Sequence, residues 1–250
     1  MKKAWTLLPA AVIFLLAGKP KKKITIWLAG DSTIAIKEQR VYPETGWGMP
    51  FAYFWDSTVS VRNLAKNGRS TKTFRSEGHW QKIVDNAQDG DYVFIQFGHN
   101  DEAVEKKERY APPDSFKLNL RAFIHEVRQK KAIPVLITPV SRRKFDKEGK
   151  AAETHRVYSA LTTEVASAEK TVLIDLDTKS RELYQQYGPE FSKLLFLQLE
   201  PGEHPNYPNG RNDNTHFSEL GARKIAQIVL KDIRAQLPEL AERIVEGTVK

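Results

Sequence analysis

Four short segments of this 250-residue chain hold residue types that together can transfer an acyl group. Gly30-Asp31-Ser32 offers a hydroxyl on a tight turn, with a glycine that lets the backbone bend sharply. Asp213-Asn214-Thr215-His216 offers an imidazole and, three residues before it, a carboxylate. A serine becomes a nucleophile when an imidazole takes its proton and an acid orients the ring. Ser32, His216 and Asp213 suit those three roles. The chemistry also needs hydrogen-bond donors aimed at the oxygen that turns negative. The candidates are the N–H of Ser32, the N–H of Gly68, which has no side chain in its way, and the side-chain amide of Asn100. Cysteine is absent, so a thiol nucleophile, thiolate metal sites and disulfides are excluded.

Each segment alone has an ordinary reading. Gly-Asp-Ser can be a turn or a helix cap, Asn67-Gly68 a turn pair, Asn100-Asp101 a cap, and Asp213 with His216 a surface pair. Their shared position is the stronger argument. β-Rich runs at Ile24–Leu28, Val59–Leu64, Tyr92–Phe97, Ile133–Thr138 and Val172–Leu176 predict five strands, several of them apolar nearly throughout, as expected for strands buried on both faces. Helical patterns separate them. Phe116, Leu120, Phe123, Ile124 and Val127 form one stripe, and Val157, Leu161 and Val165 a second. Ile225, Ile228, Val229 and Ile233 form a third behind a candidate N-cap at Ser218. A further short helix is expected near 238–247. This alternation predicts a three-layer α/β domain with a five-stranded parallel sheet over 24–250. In such a sheet ligands bind beyond the carboxyl ends of the strands. Ser32, Gly68 and Asn100 each follow a predicted strand. The turn-rich stretch 199–216 predicts a long loop that delivers Asp213 and His216.

The net charge of +8 suggests nucleic acid only at first sight. Six lysines and no acid stand within residues 1–23, so the remainder nets only +2. No nucleic-acid partner is expected. The basic start at Lys2-Lys3 and the apolar run Ala4–Gly18 read as a secretory targeting segment, too short for a comfortable membrane span. Cleavage is expected near residue 18 and an extracytoplasmic destination follows. Lys19 stands where a lipidated cysteine would follow Leu15-Leu16-Ala17-Gly18, so no lipid anchor forms there.

Taken in order, Gly30-Asp31-Ser32, Gly68, Gly98-His99-Asn100-Asp101 and Asp213-x-x-His216 resemble the motif blocks of the SGNH hydrolases, the GDSL esterase superfamily. Ala29-Gly30-Asp31-Ser32-Thr33, Gly46-Trp47-Gly48, Asn67-Gly68-Arg69-Ser70-Thr71, Gln96-Phe97-Gly98-His99-Asn100-Asp101 and Asp213-Asn214-Thr215-His216-Phe217 are similar, more narrowly, to rhamnogalacturonan acetylesterases. The resemblance implies a flavodoxin-like fold and removal of acetyl groups from an acidic pectic polysaccharide, with no metal and no cofactor. Four residues then become candidates for substrate contact. Trp47 stacks on a sugar ring or packs in the core. Arg69 pairs with a galacturonate carboxylate or serves structure. His99 lines the cleft or supports it. His204, in the long loop, reaches sugar. The run Arg142-Arg143-Lys144 either attracts an acidic polymer or is a solvated loop. His79, His125 and His155 read as surface or packing residues. A lipase or thioesterase of the same superfamily would need an apolar acyl pocket that the sequence does not reveal. A glycan-binding protein without activity would have no need of Ser32, Asp213 and His216.

Overall fold

The computed structural model describes residues 21–245, so most of the expected targeting segment, its cleavage point included, lies outside the described residues. Five strands form where the apolar runs lie: β1 (Ile24–Gly30), β2 (Val59–Asn63), β3 (Tyr92–Gln96), β4 (Ile133–Ile137) and β5 (Val172–Ile174). They pair in parallel in the order β2-β1-β3-β4-β5. β5 stops two residues before its apolar run does. The reason is Asp175, whose carboxylate accepts from the N–H of Thr178 at 3.2 Å and caps the next helix.

Eight helices flank the sheet among the described residues. They are α1 (Gly48–Phe51), α2 (Thr71–Ser76), α3 (His79–Asn86), α4 (Pro113–Gln129), α5 (Arg156–Ala168), α6 (Leu176–Phe191, broken at Gly188), α7 (Glu219–Gln236) and α8 (Pro238–Ala241). Alternate residues of the strands feed two cores. Ile26, Leu28, Phe94 and Val135 pack against Ile225, Val229 and Ile233 of α7 on one face. Trp27, Val93, Ile95 and Leu136 pack against Phe116, Leu120 and Phe123 of α4 on the other. Each of these fully buried aliphatic or aromatic side chains contributes on the order of 1.5–3 kcal/mol. Ser218 caps α7 as expected, accepting from Gly221 N–H at 3.2 Å.

Two expectations are corrected. The stripe on α5 is rotated by one residue: Val157 is exposed, while Tyr158, Thr162, Val165 and Ala166 are buried. The Tyr158 hydroxyl drives this by donating to the Ala111 carbonyl at 2.7 Å inside the core. The stretch 199–216 is not one long loop. Its end forms β7 (Arg211–Phe217), antiparallel to β6 (Phe196–Leu199), in a separate two-stranded sheet. The polar run Arg-Asn-Asp-Asn-Thr-His has no apolar alternation, so backbone pairing holds it and the period-2 signal is missing. The expected helix near 238–247 is the four-residue α8. Among the described residues no helix is long and apolar enough to cross a membrane.

Candidate active site

Strand order reverses between β1 and β3, and the crevice beyond their carboxyl ends holds the candidate residues. The nucleophile turn leaves β1 directly. The N–H groups of Ile34 and Ala35 both bond to the Asp31 carbonyl, at 3.3 and 3.1 Å. Asp31 itself points inward. Its Oδ1 accepts from the Thr33 N–H at 2.9 Å and hydroxyl at 2.8 Å. The Thr33 hydroxyl in turn accepts from Gln96 Nε2 at 2.7 Å, and Gln96 Oε1 accepts from Trp47 Nε1 at 3.0 Å. Asp31, Gln96 and Trp47 are all fully buried. This chain of buried polar groups, each bonded to the next, fixes the turn in one conformation. The Trp47 segment approaches the turn so closely that a Cβ on Gly46 would stand 2.1 Å from the Ala35 carbonyl oxygen.

Ser32 Oγ lies 2.9 Å from His216 Nε2, and His216 Nδ1 lies 2.8 Å from Asp213 Oδ2. Asp213 Oδ1 accepts from the N–H groups of Thr215 and His216 at 2.8 and 3.0 Å. Burial alone would push the Asp213 carboxyl up. The hydrogen bond and charge of His216, with the two backbone donors, outweigh burial and hold it well below the usual carboxylate range. An ionised Asp213 accepts from Nδ1–H, which leaves Nε2 free to take the Ser32 proton. Phe217, wholly buried, anchors this strand in the core immediately after the histidine.

The expected oxyanion donors, on Ser32, Gly68 and Asn100, line the same cleft as the imidazole. The N–H groups of Ser32 and Gly68 make no hydrogen bond to another group of the protein among the described residues. Gly68 has φ +76°, a left-handed conformation that disfavours any side chain. Asn100 Nδ2 donates to the Arg69 carbonyl at 3.0 Å, which orients the amide and leaves its second hydrogen available. Asp101 Oδ1 accepts from the Thr71 N–H at 2.8 Å and hydroxyl at 2.6 Å. Asn100 and Asp101 after β3 therefore clamp Arg69 and Thr71 after β2, and the donors are held in register. Burial pushes the Asp101 carboxyl up to about 7, despite the two Thr71 hydrogen bonds. Ser32, Gly68, Asn100, Asp213 and His216 all line one cleft of about 470 Å³.

Residues 28–224 match the model of the GDSL-like Lipase/Acylhydrolase family. The chain belongs to this family. With its serine, imidazole and carboxylate in line, it is a carboxylic ester hydrolase. It is 43% identical over 213 residues to the rhamnogalacturonan acetylesterase RhgT of Bacillus subtilis (strain 168), covering 85% of this chain and 90% of that one. It is 35% identical over 222 residues to the probable rhamnogalacturonan acetylesterase YesY of the same organism, covering 88% and 97%. The crystal structure of YxiM from Bacillus subtilis superposes with a TM-score of 0.74 at 30% identity; the match covers 87% of this chain and only 58% of that one. An Axe2 variant, from an acetylxylan esterase of Geobacillus stearothermophilus, shares the fold with a TM-score of 0.62 at 17% identity, covering 86% and 96%.

The other candidates separate. Trp47 does not reach solvent: it is fully buried, and its indole N–H is spent on Gln96, so the expected sugar stacking is corrected to a packing and positioning role. Arg69 turns away from the cleft. Its guanidinium bonds Glu77 at 2.8 Å and the Asn67 carbonyl at 2.9 Å, because helix α2 brings Glu77 back over it. His99 does line the cleft. Its Nε2–H donates to the Val140 carbonyl at 2.9 Å, and burial, with the nearby charges of His155 and Arg142, holds it well below the usual imidazole range. His99 is therefore a neutral wall. His155, buried and 4.1 Å from it ring to ring, bonds Glu102 at 2.9 Å. His204 lies in a neighbouring groove. Of the basic run after β4, Arg142 faces the cleft and bonds Thr215 Oγ1 at 3.2 Å, while Arg143 is turned to Asn214. Arg109 lines the cleft and was missed, because a lone arginine in a polar loop carries no sequence signal.

Proposed function

We propose that this protein removes O-acetyl groups from a plant cell-wall polysaccharide and that its substrate is acetylated rhamnogalacturonan. The observation that carries this reading is the lining of the cleft. Among the described residues Ala103 is the one apolar side chain in it; every other lining residue is polar, charged or glycine. A long acyl chain would find nothing to bury against, whereas an acetyl group on a hydroxyl-rich sugar fits. This favours a deacetylase over a lipase or thioesterase. The names of the relatives point the same way. The rim also suits an acidic polymer. Arg109 lines the cleft with its Nη1 3.3 Å from where a Cβ on Gly68 would stand, and Lys106 lines it too. A guanidinium at that edge can pair with a carboxylate. Arg109 thus takes the role first assigned to Arg69. Glu44 and Glu105 line the cleft too, so the attraction is local to that rim.

The reaction runs in two halves. Ser32 Oγ attacks the acetyl carbonyl as His216 Nε2 takes its proton. The N–H groups of Ser32 and Gly68 and the Asn100 amide hold the oxyanion. His216 returns the proton to the departing sugar oxygen, and Ser32 keeps the acetyl group. Water then repeats the steps and releases acetate. The decisive experiment is acetate release from acetylated rhamnogalacturonan against acetylated xylan, with Ser32→Ala as the blank. Preference for the pectic polymer is expected; equal or greater release from xylan contradicts the substrate assignment. A polymer of this kind lies outside the cell, which supports the extracytoplasmic destination read from residues 1–23. Amino-terminal sequencing of the native protein should begin near residue 19, and an intact Met1 contradicts it.

A further inference from the structure

Next to the catalytic cleft runs a second groove of about 1010 Å³, and Glu44 lines both. The wall between them is built, not incidental. Lys37, with its side chain 2% exposed, bonds Glu44 Oε1 at 2.6 Å and Asn67 Oδ1 at 2.9 Å. Asn67 lines the catalytic cleft, so one buried ammonium ties the two floors together. The outer wall is also tied down. Asn206 Nδ2 donates to the carbonyls of Gln39 and Tyr42, both at 2.9 Å, and the Tyr207 hydroxyl donates to the Val41 carbonyl at 2.8 Å. The loop after β6 is thereby fastened to the segment before the Trp47 turn. On this wall Tyr42 is 43% exposed. It is held by its hydroxyl on Glu219 at 2.5 Å and by the His204 ring at 5.5 Å.

We propose that this groove is a distal sugar subsite for the polysaccharide whose acetyl group sits at Ser32. The inference rests on the substrate class proposed above and adds where the chain runs. An exposed, immobilised aromatic ring beside a polar floor matches a pyranose. Weakly positive C–H bonds of the sugar face meet the negative face of the ring, and hydroxyls meet the floor. The charges choose the kind of sugar. Lys37 and Arg40 are balanced by Glu44 and Glu38 within hydrogen-bonding pairs. The groove therefore takes a neutral sugar, while the Arg109 rim takes a uronate. A chain carrying both kinds lies across the two sites, with Glu44 shared between neighbouring residues.

The test compares a polymer with an ester that fills only the catalytic cleft. Acetate release from acetylated rhamnogalacturonan and hydrolysis of p-nitrophenyl acetate are measured for wild type, Tyr42→Ala, Tyr42→Phe and His204→Ala. Loss of the ring in Tyr42→Ala should raise the polymer KM about three- to tenfold with kcat within about twofold. Tyr42→Phe, which keeps the ring, should retain the wild-type KM, and His204→Ala should raise it by a smaller factor. All three variants should hydrolyse p-nitrophenyl acetate as wild type does. An unchanged polymer KM in Tyr42→Ala overturns the subsite, and so does an equal loss on both esters. If wild type cleaves p-nitrophenyl acetate yet releases no acetate from the polymer, the substrate class itself falls and takes the subsite with it.

Discussion

The two halves of the catalytic constellation are built in different ways. Ser32, Gly68 and Asn100 stand on turns that leave the central parallel sheet and are cross-braced by fully buried side chains. Asp213 and His216 stand on β7, outside that sheet, with side chains 10% and 26% exposed. The first half is fixed by long-range bonds: Trp47 to Gln96, Gln96 to Thr33, Asp101 to Thr71. In the second, bonds within three residues orient the carboxylate and the ring, while pairing with β6 and the Phe217 anchor hold the strand that carries them. The contrast matches what each half has to do. Oxyanion donors are useful only if they are in place before charge develops. The base needs a fixed ring orientation but shuttles a proton between two oxygens, and one well-placed carboxylate supplies that.

This contrast can be broken from either side. The largest effect is expected from Asp213→Asn, which leaves the short-range half without its anion. A loss of about 10³–10⁴-fold in kcat is expected, with little change in melting temperature. Next comes Asn100→Ala. It removes a donor that acts in the transition state, so kcat should fall about 100–1,000-fold while KM hardly moves. A rise in KM alone would place Asn100 in binding instead. Trp47→Phe should act mainly on stability. It leaves Gln96 Oε1 buried and unpaired, at a cost of about 1–3 kcal/mol in urea unfolding, whereas a surface sugar platform would lose polymer binding and no stability. The last effect concerns Asp101 and is confined to a pH window. Its carboxyl is pushed up to about 7 in the fold, against 3.8 when unperturbed. Between those values the folded chain keeps a proton that the unfolded chain has lost, so stability falls as pH rises. Asp101→Asn cannot titrate, so from about pH 4 to 7 it should gain on wild type by about 3 kcal/mol. A constant difference between the two proteins across that range would contradict the buried, protonated carboxyl.

The same contrast explains what the sequence revealed. Continuous apolar runs mark strands buried on both faces, and those runs located β1 to β5 and the turns after them. The residues that bear on the chemistry follow those turns directly, so Ser32, Gly68 and Asn100 were legible from position. Asp213 and His216 were legible as a pair, but their strand was not, since its pairing rests on backbone groups and its side chains are polar. Trp47 and Arg69 misled because type and proximity say nothing about direction. An indole beside the nucleophile turn faces inward once Gln96 accepts its N–H, and an arginine faces outward once Glu77 comes within reach. Arg109 and the Tyr42 groove depend on loops meeting across long sequence separations, which no local pattern encodes.

The central claim is that Ser32 takes the acetyl group while the Gly68 and Asn100 donors hold the oxyanion. Acid quenching during turnover of p-nitrophenyl acetate, followed by mass spectrometry of the peptides, tests it directly. An acetyl group on the peptide that carries Ser32, absent from Ser32→Ala, is the predicted result. Undiminished turnover by Ser32→Ala, with no acetylated peptide in either protein, would contradict it.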